Sequence, residues 1–588
     1  ENWGLVTYRE VYLLVDENST AQSRQTVALV VAHELAHQWF GNLVTMKWWD
    51  DLWLNESFAN MMEYVSLDAI EPSWNIFEDF QTTGVPLALK RDATDGVQSV
   101  HVEVKHPDEI NTLFDPAIVY AKGSRLMHML RRWLGDDAFR KGLKAYFEKH
   151  QYGNTIGRDL WNALGDASGR DVAAFMDSWL EQPGYPVLTA VVENDTLKIS
   201  QKQFFIGEHE DQGRQWVVPL NSNWSGIPDT LETETLEIPG YAALAAENSE
   251  PLRFNTENTA HYITDYQGEL LDAIVDNMAS LDNLSKQQIL QERRLLAESG
   301  VISYASLLPV IEKLTQERSY LVVSAVSSIL QGLSLFVDEG TEVEAAYKKL
   351  LVTFNQFNFE RLGFEPKAGE ADEDEMVRQL VISNMIKGDD AKASAKASEI
   401  YAAHAEDISK LPAAIRLQIL INQIKHHESK ELTDLYLNTY AQATDGNFKR
   451  QLSTALAYTT DADTVEKILT EWKNKDVVKP QDLAMSWYFT FLHHEFTQES
   501  AWTWARENWE WVKAALGGDM SFDKFVIYPA NTFKTAERLA EFKAFFEPQL
   551  SDMAISRNIS MGIKEIAARV DLIQREKAAV EAAILATK

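Results

Sequence analysis

The sequence predicts a multidomain, mainly helical chain with one small β region, and three observations carry that reading. Residues 267–588 keep a helical spacing of apolar positions to the end of the chain. Residues 188–266 change texture to short alternating runs such as Leu197-Lys198-Ile199-Ser200. Between that region and an aromatic-rich, helix-patterned segment, 1–187, stands Pro183-Gly184-Tyr185-Pro186, a cluster of breakers that helices rarely tolerate. A length of 588 residues, 45% of them hydrophobic, is enough for several domains with cores of their own.

In segment 1–187 a helical stretch runs from about Ser23 to Phe40 and stops at Gly41, and Asn55-Glu56-Ser57-Phe58-Ala59 opens a second helix. Phe58, Met61, Met62 and Val65 give that helix a packing face, and Trp48, Trp49 and Trp53 are expected to pack the turn before it. Segment 188–266 is expected to be a small β-sandwich, with turns at Asn194-Asp195, Ser225-Gly226 and Pro239-Gly240. In 267–588, Ser285-Lys286-Gln287-Gln288 looks like a capping box, with Gly300 as the stop. Leu539, Phe542 and Phe546 share a face further on. So many successive helices are built most easily as a curved stack. The acidic run Glu370 to Glu375 is expected to be a solvated loop and helix start.

Composition excludes several classes. The 88 acidic residues against 55 basic ones give a net charge of −33, which would repel a phosphate backbone, so no nucleic-acid partner is expected. There is no cysteine, so any metal must be held by His, Asp or Glu. No run of eighteen apolar residues occurs, and no membrane span is expected.

The chemistry is concentrated in His33-Glu34-Leu35-Ala36-His37. Histidines four apart on a helix project from one face and can share one zinc ion. Glu34 points about 100° away from His33, offset for a ligand but within reach of a metal-bound water as a base. Glu56, eighteen residues beyond His37, is the candidate third ligand, which would leave a fourth position open as in catalytic zinc sites. A chance His-Glu-x-x-His is expected only about 0.04 times in a chain of this composition, and about 0.006 times with an acid at one fixed later spacing. Asn55 and Asn60 could orient the ligands, or could be an N-cap and a surface amide. His426-His427 and His493-His494 are adjacent pairs whose imidazoles diverge on a helix, so they are not metal candidates.

Three segments then carry a resemblance: Glu1-Asn2-Trp3-Gly4-Leu5-Val6-Thr7-Tyr8-Arg9-Glu10, His33 to Asn42, and Trp48-Trp49-Asp50-Asp51-Leu52-Trp53-Leu54-Asn55-Glu56. Together they resemble the aminopeptidase N family of gluzincin metallopeptidases, in the form found in lactic acid bacteria, over the whole chain. The resemblance implies a thermolysin-like zinc catalytic domain in 1–187, a β-sandwich in 188–266, and an α-helical superhelical C-terminal domain in 267–588 that encloses the site. It also implies one zinc ion held by His33, His37 and Glu56, with Glu34 as the base. Glu1 would match the glutamate of the family's Gly-Ala-Met-Glu-Asn signature and bind the substrate's α-ammonium. On that match the chain is expected to be an N-terminally truncated piece lacking the family's N-terminal β domain. Tyr120-Ala121-Lys122-Gly123 is similar to the family's Tyr-x-Lys-Gly, which makes Tyr120 the donor to the oxyanion.

The expected activity is release of single residues from peptide N-termini, with peptides as partners and neither nucleic acid nor membrane. A cytoplasmic monomer is the expected form. The rival readings are a gluzincin endopeptidase, which would not need Glu1, and a non-catalytic helical scaffold. One branch of the family also has an epoxide hydrolase activity that the motifs do not distinguish.

Overall fold

Helices dominate the chain because most of it repeats apolar residues at three- and four-residue spacing, and the few strands sit where that spacing gives way to alternation. The computed structural model describes residues 2–16, 19–367 and 369–587. Contacts divide the chain into two units. One combines the residues before Arg9 with Ala28–Ile329, and the other combines Arg9–Val27 with everything after Ile329.

Helix α1 spans Ala21–Ala36. Beyond Ala36 the turn tightens, with Gln38 and Trp39 donating to carbonyls three residues back, while His37 still donates to His33 O at 3.2 Å. Gly41 then reverses the chain at φ 128°, a backbone conformation that suits glycine. Helix α2 spans Trp53–Ile70 and begins two residues earlier than the sequence suggests. Phe58 and Met61 are buried and Met62 and Val65 half-buried, and Phe58 stacks on Phe40 at 4.6 Å between ring centres. The turn before α2 is held by Trp53, which stacks on Trp161 and donates its indole N–H to Asp51 at 2.9 Å. Trp48 stays half exposed, its indole donating to Val104 O. A short parallel pair, β1 (Val44–Met46) with β2 (Gly153–Thr155), ties the segment between α1 and α2 to later sequence.

The expected small β region contains a four-stranded mixed sheet and a separate two-stranded one. Strands β3 (Pro186–Glu193) and β4 (Thr196–Gln203) form a hairpin whose two turn residues, Asn194 and Asp195, have φ of 50° and 58°. That is the left-handed pair a two-residue hairpin turn requires. Leu197 and Ile199 are buried, while Lys198 and Ser200 between them are half-buried, as alternation demands. Strands β5 (Val218–Pro219) and β6 (Thr230–Leu231) pair with each other. Strand β7 (Thr235–Pro239) pairs antiparallel with β4, and β8 (Ile263–Tyr266) pairs parallel with β3.

Two local readings are corrected. The helix Asn283–Ser299 is capped by Asp282, whose side chain accepts from the Ser285 N–H, so Ser285 is not the cap. Gly300 does end it in the left-handed conformation. In the second unit, the acidic run is half-buried and paired rather than solvated. Asp374 meets Arg361 at 2.6 Å, Glu370 meets Arg378, Asp372 meets Arg24 at 3.3 Å, and Glu375 accepts the Ala21 N–H at 2.8 Å. Asp372 to Glu375 also fill the first turn of the helix Asp372–Lys387, where carboxylates offset the exposed N–H groups. Further along, Phe542 and Phe546 are buried, and Phe546 packs against Trp502 and Trp509.

Candidate metal centre

Helical spacing places His33 one turn before His37, and α2 presents Glu56 to both. The three facing atoms are His33 Nε2, His37 Nε2 and Glu56 Oε2, and they form a triangle with sides of 3.1, 3.3 and 3.4 Å. A tetrahedral zinc ion with bonds of about 2.0–2.1 Å needs its ligand atoms about 3.3 Å apart, so this donor set fits the ion in both chemistry and spacing. Among the described residues, this is the one His, Cys, Asp and Glu group close enough to hold a metal.

The outward-facing nitrogens fix how these imidazoles are presented. Glu63 Oε2 accepts from His33 Nδ1 at 2.9 Å, and Phe40 O accepts from His37 Nδ1 at 2.9 Å, which turns both Nε2 atoms toward the centre. Asn60 in turn donates to Glu63 Oε1 at 2.6 Å, so it reaches His33 through Glu63 and is not a free surface amide. Asn55 lies in the first turn of α2 and is not its cap. Its amide nitrogen lies on the side where Gly41 has no Cβ, a position where one would stand 3.1 Å away.

The electrostatics favour a cation. Burial opposes a charged His33, yet hydrogen bonds to Glu56 and Glu63 outweigh it and push its pKa up to about 10. Burial also opposes an ionised Glu56, but the two imidazoles bring it down to about 2. Glu63 is shifted the other way, upward, because it is buried. Two carboxylates concentrated on one pair of imidazoles make a pocket that attracts positive charge.

Glu34 is half-buried and follows His33 directly, outside the donor triangle. Burial, and to a smaller extent the charge of Glu34, raise the pKa of Tyr8. Tyr120 brings its ring centre to 6.0 Å from that of His33. It is carried on a π-helical turn, Pro116–Lys122, a rare local geometry found often at functional sites. Glu1 lies outside the described residues. His427 and His494 make ordinary contacts, with Ser398 Oγ and the Tyr458 ring respectively.

Sequence reading missed Glu63 and the buried partners of Lys122. For Glu63 a signal existed: Glu56, Asn60 and Glu63 recur at i, i+4 and i+7, on one face of α2. Replacing Glu63 with Gln is expected to weaken zinc binding about 10–100-fold, as for other outer partners of metal-ligating histidines. Competition against a chelating dye would measure it, and unchanged affinity would remove Glu63 from the centre.

Comparison with known proteins decides the family. Residues 1–179 match the model of the peptidase family M1 domain, and residues 252–568 match the ERAP1-like C-terminal domain. The aminopeptidase N of Lactococcus lactis subsp. lactis is 66% identical over 586 residues, 99% of this chain and 69% of that protein. The chain belongs to peptidase family M1, the aminopeptidase N family. Within the family, the aminopeptidase N of Lactococcus lactis subsp. cremoris strain MG1363 is 56% identical over the same shares of both chains. That of Lactobacillus helveticus is 46% identical, again over 99% of this chain and 69% of the relative. As a family M1 member the chain is a metallo-aminopeptidase, a hydrolase of peptide bonds, with a mainly helical architecture and a large C-terminal helical region. No helix among the described residues is long and apolar enough to cross a membrane.

Proposed function

We propose that the chain is a zinc-dependent aminopeptidase that releases single residues from peptide N-termini, with one zinc ion held by His33, His37 and Glu56. The observation that carries this reading is the triangle of two imidazole nitrogens and one carboxylate oxygen with Glu34 one residue along the same helix. Zinc bound there would act as a Lewis acid on the scissile carbonyl and lower the pKa of a water to about 7. Glu34 accepts the proton of the attacking water and delivers it to the leaving amine. Tyr120 donates its phenolic proton in a hydrogen bond to the developing oxyanion, a contact stronger in the transition state than in the ground state. Glu1 pairs with the substrate's α-ammonium and so sets the cut one residue from the terminus. Peptides are the proposed substrates, and a cytoplasmic monomer the proposed form.

The test is hydrolysis of lysyl-p-nitroanilide against its N-acetyl twin by the zinc-loaded chain. Cleavage of the free amine alone is expected. Equal cleavage of both would overturn the amine anchor and favour an endopeptidase, and cleavage of neither would favour a non-catalytic scaffold.

A further inference from the structure

The π-helical turn that carries Tyr120 does not hold its shape by local bonding alone, because hydrogen bonds five residues apart are poorly packed and rare. Three anchors from distant sequence grip it. At its start, Asp115 accepts the Ala117 N–H at 2.8 Å while meeting Arg91 Nε at 3.3 Å. In the middle, Ser57 Oγ donates to Val119 O at 2.6 Å. At its end, Lys122 meets Asp92 at 2.8 Å with both side chains wholly buried.

The last two anchors are unusually specific. Asp92 also accepts the Gly184 N–H at 2.9 Å and His261 Nε2 at 3.0 Å, and Lys122 donates again to Gly184 O at 3.1 Å. Burial draws the His261 pKa down to about 4, so it is a neutral imidazole whose Nε2–H is donated. A fully buried ion pair contributes little to stability on balance, since desolvation offsets the attraction, so it is better explained by what it positions. Ser57, for its part, directly follows the candidate ligand Glu56 and grips the carbonyl of the residue before Tyr120. The approach is possible only because Gly123 has no Cβ, which would stand 2.0 Å from Ser57 Oγ.

We propose that the buried Lys122–Asp92 pair and Ser57 are positioning residues that hold the Tyr120 phenol in register with the Glu56 carboxylate. The proposal rests on the reading of Tyr120 as the oxyanion donor. A displacement of about 1 Å in such a donor is enough to cost about 100-fold in rate, which is the scale these anchors protect.

The experiment is a pair of double-mutant cycles on the zinc-loaded chain: Lys122→Met and Ser57→Ala, each made alone and with Tyr120→Phe. Tyr120→Phe alone is expected to lower kcat about 100-fold or more. Each anchor variant alone is expected to lower kcat about 10-fold or more, with KM and zinc content little changed. In the Tyr120→Phe background each is expected to cost less than about 2-fold, because a group that acts through the phenol has nothing left to position. Equal losses in both backgrounds, or loss of zinc in step with rate, would overturn the positioning role while leaving Tyr120 as donor. An unaffected kcat in Tyr120→Phe would instead overturn the donor reading itself. If Lys122→Met failed to fold, Ser57→Ala, which removes one hydroxyl, decides the question by the same criterion.

Discussion

Glu34→Gln is expected to keep its zinc and lose about 10²- to 10⁴-fold in kcat, the range a positioned general base contributes. The separation follows from geometry. The three atoms that converge are His33 Nε2, His37 Nε2 and Glu56 Oε2, and Glu34 is not among them. Glutamine matches glutamate in volume and cannot take a proton, so the exchange removes the proposed base and little else. Substrate affinity should change little, because neither the proposed ligands nor the proposed amine anchor is touched. Turnover of lysyl-p-nitroanilide together with bound zinc measured by atomic absorption checks the prediction. Zinc lost along with activity would mean that Glu34 supports the ligands, and retained activity would move the base elsewhere.

The site was legible in the sequence where chemistry and spacing coincide on one element. His33 and His37 need only the pitch of a helix to be brought together, and the triangle they close with Glu56 spans just two helices and one reversal. Glu63 obeyed the same periodic logic, but a lone glutamate on a helix looks like a solvated charge until its partner is known. The Lys122, Asp92 and His261 cluster followed no such rule. Its members are far apart in the chain and belong to a helix end, a π-turn and the segment before β8, so only the packed fold makes them neighbours.

The same division holds for the fold. Alternation in Leu197 to Ser200 and the Asn194-Asp195 turn foretold the β3–β4 hairpin, since both signals are local. The parallel pairing of β3 with β8 carries no local signal, because their partners are more than seventy residues apart and any strand of suitable length could have filled the place. The cap at Asp282 shows the limit of motif reading at short range. Asp282 and Ser285 are both good caps three residues apart, and the aspartate takes the role because its carboxylate reaches the Ser285 N–H at 2.9 Å.

Glu56→Gln is expected to fail in the opposite way from Glu34→Gln: zinc affinity should fall by more than the roughly 100-fold at the upper end for outer-shell partners, and activity with it. The amide keeps the shape of α2, yet it removes the one anionic donor from a set whose other two members are neutral when ligated. It also removes the carboxylate that, with Glu63, draws positive charge onto His33. Activity lost this way is recoverable by mass action, so a large excess of zinc should restore part of it, while no excess should restore Glu34→Gln. Running both variants through the same zinc titration therefore separates a ligand from a base without a structure of either. A Glu56→Gln chain that binds zinc normally would show that the third donor lies elsewhere. A Glu34→Gln chain rescued by zinc would reverse the two roles.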